Sequence, residues 1–294
     1  MTHAFSSGIL DWQRRGQVHT FFGLEVFALD TGPADATETL LLLHGFPSSS
    51  YDWAPLLAHL PPSWRVMTLD LPGFGLSSKP VGAPYSLFEQ ADIVQQVLRA
   101  HGVSRAHVIA HDMGTTVACE LLARRERGLL TFTMPSLVLT NGSVHIELAH
   151  LTPSQKLLRT SVGPLFAQLS TKKVFLWQLK RILGKPVSDE ALDEMWALMA
   201  YRDGVARLAE TIGYISERWK FAERWTGALT RLNIPTLILW GRLDPVAVPA
   251  IAEKLAHEIP GARLEWMEAL GHYPQLEDPG VMGTAIRNFY ASLG

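Results

Sequence analysis

The chain has 294 residues, and its 26 Lys and Arg against 28 Asp and Glu give a formal net charge of −2. This length corresponds to one large domain or to a core with a sizeable insertion. A near-neutral charge does not favour nucleic-acid binding, which depends on a basic patch. The single cysteine, Cys119, excludes an internal disulfide and suits a reducing compartment. Because the sequence shows neither a secretory signal nor a long uncharged apolar run, we expect a cytoplasmic protein without a transmembrane segment.

Eight short runs predict β-strands. The first two are separated only by Gly23, which predicts a hairpin. The other six are apolar and bounded by Gly, Pro, Asp or His, as is typical of strands that are buried on both faces. The runs are 17–22, 24–30, 39–43, 65–69, 107–110, 137–140, 236–240 and 263–267.

Helical patterns lie between these strands, at residues 86–100, 115–125, 249–258 and 281–293. Ser86, followed three residues later by Glu89, predicts a capping box at the start of the first helix. The alternation of strands and helices predicts an α/β fold, in which helices cover both faces of a mostly parallel sheet.

Residues 145–225 interrupt the alternation, because they show helical patterning but no strand. They carry 12 Lys and Arg against 9 Asp and Glu, or +3, which leaves −5 for the remainder. We predict a helical cap inserted between the sixth and seventh strands of a core formed by residues 1–144 and 226–294. The basic, aromatic segment 156–181 also fits a helix on a membrane surface. Amphipathic character alone does not separate that alternative from a lid over an apolar cleft.

The sequence Ala110-His111-Asp112-Met113-Gly114 lies between a predicted strand and a predicted helix. Small residues two before and two after the central residue permit a sharp strand-to-helix turn, the nucleophile elbow that is usually built around serine. Here the central residue is Asp112, and the elbow would place it at the edge of the sheet where open α/β folds bind ligands. An aspartate that caps the helix is the alternative for so short a motif.

Three further motifs follow predicted strands. The segment 44–47, His-Gly-Phe-Pro, follows the third strand, where folds with a nucleophile elbow form half of their oxyanion hole. Asp244 and His272 follow the last two predicted strands. The order nucleophile, acid, histidine is typical of α/β-hydrolases. We therefore predict that Asp112 is the nucleophile, Asp244 the orienting acid and His272 the base. The backbone N–H groups of Phe46 and Met113 are predicted to form the oxyanion hole.

These residues resemble the α/β-hydrolase superfamily, specifically the epoxide hydrolase and haloalkane dehalogenase branch, where aspartate replaces serine. They are more similar still to the mesoderm-specific transcript protein group and its bacterial relatives. The resemblance spans nearly the whole chain and includes residues 43–53, 86–91, 220–221, 224–225, 227–229 and 272–279. It implies an α/β-hydrolase fold with an eight-stranded sheet and the same roles for Asp112, Asp244 and His272.

An aspartate nucleophile limits the kinds of reaction that the site can catalyse. Aspartate is already ionised near pH 7, so it needs no base for its attack. Attack on the saturated carbon of an epoxide or alkyl halide forms a stable alkyl ester. Water activated by His272 can then hydrolyse that ester.

The two leaving groups need different partners. Resemblance to epoxide hydrolases implies a cap tyrosine as proton donor, for which Tyr214 is the first candidate and Tyr201 the second. Dehalogenases commonly place an indole N–H directly after the nucleophile, where this chain has Met113, which cannot donate a hydrogen bond. The cap offers other indole donors, namely Trp177, Trp196 and Trp219.

We therefore expect an epoxide hydrolase that converts a small apolar substrate and water to a vicinal diol, with no metal and no cofactor. A haloalkane dehalogenase is the alternative enzyme. A non-catalytic ligand-binding sensor that keeps the fold is the alternative from another class.

Overall fold

A computed structural model describes residues 5–33, 35–36 and 38–293. Eight strands form one sheet in the order β1-β2-β4-β3-β5-β6-β7-β8. β2 pairs antiparallel with both β1 and β4, and all other neighbours are parallel. The predicted hairpin and mostly parallel eight-stranded sheet are confirmed. The strands are β1 (Gln17–Phe21), β2 (Leu24–Thr31), β3 (Thr39–Leu43), β4 (Arg65–Leu69), β5 (His107–His111), β6 (Leu137–Thr140), β7 (Thr236–Gly241) and β8 (Arg263–Met267).

The helices of the described residues lie in the connections between strands and at both ends. They are α1 (Ser7–Arg15), α2 (Ala54–Leu57), α3 (Leu87–Ala100), α4 (Met113–Glu126), α5 (Pro153–Leu158), α6 (Gly163–Gln168), α7 (Lys172–Lys180), α8 (Asp189–Ala200), α9 (Gly204–Thr211), α10 (Tyr214–Lys220), α11 (Ala222–Thr230), α12 (Pro249–Glu258), α13 (Pro274–Glu277) and α14 (Pro279–Ala291), with two 3-10 turns at Ser50–Trp53 and Tyr201–Asp203.

The predicted capping box at α3 is wrong. Ser86 is the N-cap residue, but its hydroxyl accepts from the N–H of Phe88 rather than from that of Glu89. A carboxylate oxygen of Glu217 in α10 accepts from the N–H of Leu87 at 2.7 Å. A tertiary partner therefore accepts a hydrogen bond in the first turn of α3 that the local pattern did not predict.

Alternate side chains of the central strands enter the core on opposite faces of the sheet. In β3, Leu41 and Leu43 join the cluster beneath α3, α4 and α12, whereas Leu40 and Leu42 join the cluster covered by α2 and α14. Burying one such side chain contributes about 1.5–3 kcal/mol. β8 was predicted to be buried on both faces but is only partly buried, because it is an edge strand with β7 as its single neighbour.

Helices α5 to α11 all lie between β6 and β7, and no strand interrupts them. The last of them, α11, crosses the predicted boundary between residues 225 and 226. It packs along α4, the helix that follows β5, and the indole N–H of Trp225 donates to Glu120 in that helix at 3.0 Å. The division of the chain into core and cap stays a prediction.

Candidate active site

The elbow at the end of β5 places Asp112 in an unusual backbone conformation. Its φ of 45° and ψ of −111° lie in a region that residues other than glycine rarely adopt. The turn is tight because α4 starts directly beneath the end of β3. A Cβ on Gly114 would lie 2.6 Å from the carbonyl oxygen of Leu43, so a larger residue would push the helix away.

The loop after β3 holds the Asp112 side chain. The N–H of Phe46 donates to Oδ2 of Asp112 at 2.8 Å. A Cβ on Gly45 would lie 2.5 Å from Cβ of Asp112, so glycine is needed for this approach. Met113, the other predicted donor, is the first residue of α4, where backbone N–H groups have no partner within the helix.

His272 and Asp244 form a buried pair after β8 and β7. Nδ1 of His272 lies 2.7 Å from Oδ2 of Asp244, whose Oδ1 accepts from the N–H groups of Val246 and Ala247. Burial alone would lower the pKa of His272, but the carboxylates of Asp244 and Asp112 together raise it to about 9. The imidazole is therefore charged at neutral pH.

Three positioning residues around the pair were not found by sequence reasoning. Asn141, after β6, donates to Oδ2 of Asp244 at 2.8 Å. His111 lies 2.7 Å from the carbonyl oxygen of His272, and burial lowers the pKa of His111 to about 4, so its neutral Nε2–H donates this bond. Glu277 was noted within a longer motif but was assigned no role.

Glu277 connects the histidine loop to the segment after α7. Its Oε2 accepts from the N–H groups of Gly271 and Gly184, at 2.7 and 2.8 Å. The N–H of His272 itself donates to the carbonyl oxygen of Ile182 at 2.9 Å. The position of the imidazole therefore depends on backbone contacts with residues 182–184.

Arg218 of α10 reaches the elbow from above. It is fully buried, and it donates to the carbonyl oxygen of Asp112 at 3.0 Å and to the hydroxyl of Thr116 at 2.8 Å. No Asp or Glu among the described residues forms a salt bridge with it. Sequence reasoning missed this residue because the contact spans more than one hundred positions.

A mostly apolar cavity borders the site at Phe46 and His272, whereas Asp112 is not among the residues that line it. Its volume, measured as the space open to the centre of a water molecule, is about 100 Å³. Phe46 and His272 contribute to its wall, together with side chains from α5 to α9. The other lining residues are Pro47, Thr152, Ser154, Gln155, Leu158, Phe166, Ser170, Val174, Phe175, Gln178, Leu179, Ile182, Trp196, Met199, Leu208, Val246 and Tyr273.

The candidate donors of the cap differ in position. Tyr214 is buried, and its ring lies 5.6 Å from that of Phe46 and 4.7 Å from the guanidinium of Arg218. Burial and the carboxylate of Asp112 raise the pKa of Tyr214 well above its ordinary value. Tyr201 packs against Phe5 at the beginning of the described chain. Neither Tyr214 nor Tyr201 is among the residues that line the cavity.

Of the three candidate tryptophans, only Trp196 lines the cavity. Trp196 is 7% exposed, and its indole nitrogen is buried without a hydrogen-bond partner among the described residues. Trp177 and Trp219 are 61% and 53% exposed. The suggestion that either of these two donates inside the site is therefore wrong.

An acidic residue at a strand-to-helix elbow, followed along the chain by an acid and a histidine after β7 and β8, is the arrangement of an α/β-hydrolase. The chain belongs to the alpha/beta hydrolase fold family, whose model matches residues 38–279. It is 42% identical to LipZ of Mycobacterium tuberculosis over 93% of this chain and 95% of that protein. It is 37% identical to the mesoderm-specific transcript protein of Mus musculus over 93% and 85% of the two chains. The superfamily predicted from the sequence is confirmed.

The fold is also found among solved structures. A loop variant of the haloalkane dehalogenase DbeA from Bradyrhizobium elkanii superposes with a TM-score of 0.79 at 22% identity, covering 94% of this chain and 96% of the other. In the part of the chain described here, each helix is too short or too polar to cross a bilayer. The cytoplasmic location stays a prediction.

Proposed function

We propose that this α/β-hydrolase opens epoxides through an ester intermediate on Asp112 and releases a vicinal diol. The proposal is carried by the Asp112 carboxylate itself. It stands at an elbow of positive φ with Oδ2 bound to the N–H of Phe46, next to a histidine whose pKa its charge raises. A carboxylate at this position suits attack on a saturated carbon.

In the first step, Oδ1 of Asp112 attacks one epoxide carbon. A bond forms between Oδ1 and that carbon, the carbon–oxygen bond of the ring breaks, and its electron pair stays on the departing oxygen. Oδ2 remains bound to Phe46 and becomes the carbonyl oxygen of the ester. The hydrogen bond from Phe46 thus selects which oxygen attacks.

Tyr214 supplies the proton that the new alkoxide takes up. The Asp112 carboxylate disfavours the phenolate, and this repulsion disappears when Asp112 becomes a neutral ester. The guanidinium of Arg218, 4.7 Å from the ring centroid, stabilises the phenolate that forms. The acid is therefore strengthened at the moment when a proton is needed, and solvent later returns the proton.

In the second step, His272 acts as base. Esterification removes the Asp112 charge that helps to raise the pKa of His272, so the imidazole loses its proton more easily. Neutral His272 takes a proton from water, and the hydroxide attacks the ester carbonyl. The resulting oxyanion on Oδ2 is stabilised by the N–H groups of Phe46 and Met113. Collapse breaks the bond between Cγ and Oδ1, and Oδ1 leaves with the product and takes the proton from His272. The new carboxyl group, which keeps the oxygen from water, returns its proton to the imidazole, so the diol is released and the carboxylate is restored.

We also infer that residues 145–225 act as a cap that excludes water from this chemistry. Helices α5 to α9 supply most of the cavity wall, and Asp244 and His272 come from outside this segment. The apolar lining, with side chains such as Leu158, Phe166 and Phe175, favours a small apolar substrate.

Haloalkane dehalogenation is a second candidate, and Trp196 favours it. Its unpartnered indole N–H lies in the wall of the cavity, where a departing halide could accept a hydrogen bond. The attack by Asp112 and the hydrolysis by His272 would be the same. A Trp196→Phe variant should then slow the reaction of a bromoalkane and leave that of an epoxide unchanged.

Intact-protein mass spectrometry of His272→Ala tests both candidates. Without the base, the ester should accumulate on Asp112. Styrene oxide should add its whole mass, whereas 1-bromobutane should add its mass less that of hydrogen bromide. Peptide mapping should place the adduct on the peptide that contains Asp112.

The double variant Asp112→Ala, His272→Ala is the control and should carry no adduct. An adduct that persists in the control, or that maps to another residue, contradicts the Asp112 mechanism. No adduct and no turnover with either substrate class would favour a ligand-binding sensor.

A further inference from the structure

The outer surface of helices α5, α6 and α7 exposes large apolar side chains. Leu165, Leu169 and Trp177 are 60%, 69% and 61% exposed. Leu157, Val162 and Val174 of the same segment are also exposed. Scattered apolar residues are normal on a protein surface, but six within 21 residues indicate a contact surface. We call the outer surface of residues 153–181 the α5–α7 face.

The charges of this segment have one sign. Residues 148–188 contain seven Lys and Arg and no Asp or Glu. Lys172, Lys180 and Lys185 pair with acids from neighbouring segments. Within the described residues, the remaining four, Lys156, Arg159, Lys173 and Arg181, have no carboxylate within salt-bridge distance. The guanidinium of Arg181 instead lies 4.8 Å from the ring centroid of exposed Trp177.

The cavity wall and the α5–α7 face belong to the same three helices. Leu158, Phe166 and Leu179 turn inward and line the cavity. Val174 lines the cavity and is also exposed, so the cavity reaches the surface beside it. A molecule held at the α5–α7 face would lie next to this opening.

We propose that the α5–α7 face docks on the surface of an anionic lipid bilayer. Helices that lie in a membrane interface combine apolar side chains, which enter the acyl boundary, with Lys and Arg that contact acidic headgroups. This segment has both, and its exposed Trp177 suits the interfacial region. A second copy of the chain is a poorer occupant, because two faces with unpaired positive charges would repel each other.

The docked orientation places the opening beside Val174 next to the bilayer. An apolar substrate dissolved in lipid could pass into the cavity without crossing bulk water. This consequence depends on the proposed function, whereas docking itself does not. The test therefore measures binding without turnover.

Vesicle co-sedimentation tests the docking. The protein should bind vesicles of mixed phosphatidylcholine and phosphatidylglycerol and should bind pure phosphatidylcholine vesicles much more weakly. Two double variants weaken the two kinds of contact separately. Leu165→Glu with Leu169→Glu removes apolar contact, and Lys156→Glu with Lys173→Glu reverses charge. Each should reduce binding to the mixed vesicles by about tenfold or more.

The matched control is the double variant Arg127→Glu, Leu129→Glu. Leu129 is also 61% exposed, and Arg127, two positions before it, is an exposed arginine outside this segment. The control should bind like the wild type, and melting curves of all variants verify folding. Absence of wild-type binding to the mixed vesicles, or an equal loss in the control, overturns the proposal. Light scattering tests self-association. If the wild type is a dimer and Leu169→Glu dissociates it, the α5–α7 face binds a second copy of the chain and the proposal is overturned.

Discussion

His272 and Asp112 influence each other through their charges. The imidazole is buried beside two carboxylates, and these raise its pKa to about 9 although burial opposes the charged form. A protonated imidazole cannot act as a base, so the resting site is not prepared for ester hydrolysis. In the proposed mechanism, esterification removes the Asp112 charge and lowers the pKa of His272, which favours the second step only after the first.

Replacing Asp112 by asparagine imitates the neutral ester. We expect the pKa of His272 to be lower in Asp112→Asn than in the wild type, where it should titrate near 9. NMR titration of labelled imidazoles measures both values, with His272→Ala identifying the signal. Since the neutral fraction of His272 grows with pH, decay of the wild-type alkyl-enzyme should also accelerate as pH rises. Equal pKa values in the two proteins would contradict the coupling.

Tyr214→Phe separates the two chemical steps. A positioned general acid typically contributes 10²–10⁴-fold, so formation of the alkyl-enzyme from styrene oxide should slow by about a hundredfold or more. Its decay should change little, because that step uses His272. Single-turnover kinetics with rapid quench measure both rates. Tyr201→Phe is the matched control, and an equal effect of the two variants would remove the acid role of Tyr214.

The elements differ in how far their site residues could be predicted. Asp112, Asp244 and His272 each follow a strand that stands out in the sequence, so strand ends, local motifs and chain order were sufficient to propose them. Arg218 and Asn141 act through contacts that cross 106 and 103 positions of the chain. Such contacts have no periodic or local signal in a single sequence. The contact from Glu217 to the N–H of Leu87 at the start of α3 is likewise long-range and has no local signal.

Helix α10 is coupled to the elbow through Arg218. Hydrogen bonds from a charged donor contribute about 1.5–3 kcal/mol, so Arg218→Met should slow alkylation of Asp112 by at least about tenfold. Stability should change little, because the variant also relieves the cost of a buried charge without a paired carboxylate. Melting temperature and single-turnover rates, measured together, test this expectation.

Arg224→Met provides the contrast on the neighbouring helix. Arg224 pairs with buried Glu120 at 2.7 Å and does not contact the elbow. Its loss leaves a carboxylate with fewer partners, so stability should fall while the alkylation rate is largely retained. A larger kinetic effect in Arg224→Met than in Arg218→Met would contradict the coupling of α10 to Asp112.

At the scale of the whole molecule, the fold was more predictable than the wall of the site. Buried strands such as β3, with five consecutive apolar or β-branched residues, stand out in a single sequence. β8 was located correctly, but its exposure depends on being at the edge of the sheet, which strand patterns do not encode. Trp196 lines the cavity and Trp177 does not, and this difference likewise depends on how the helices between β6 and β7 pack.

Cys119 reports on the integrity of the whole core. It is the chain's single cysteine, it is fully buried in α4, and burial raises the pKa of its thiol to about 12. We expect native protein to react with a thiol reagent at least about a thousandfold more slowly than denatured protein, because thiolate and access are both lacking. The rate of thiol labelling by Ellman's reagent, followed by absorbance at increasing urea concentrations, tests this expectation. Fast labelling of Cys119 at urea concentrations below the unfolding transition seen by circular dichroism would contradict it.

The backbone contacts between the histidine loop and residues 182–184 have one further consequence. If the proposed cap opened at this side, Ile182 and Gly184 would move with it. The histidine loop would lose two of the backbone contacts that hold it, while Asp244 would still bind the imidazole. Under the proposed mechanism, such an opening would slow ester hydrolysis. A covalently held intermediate would then be hydrolysed faster while these backbone contacts are intact.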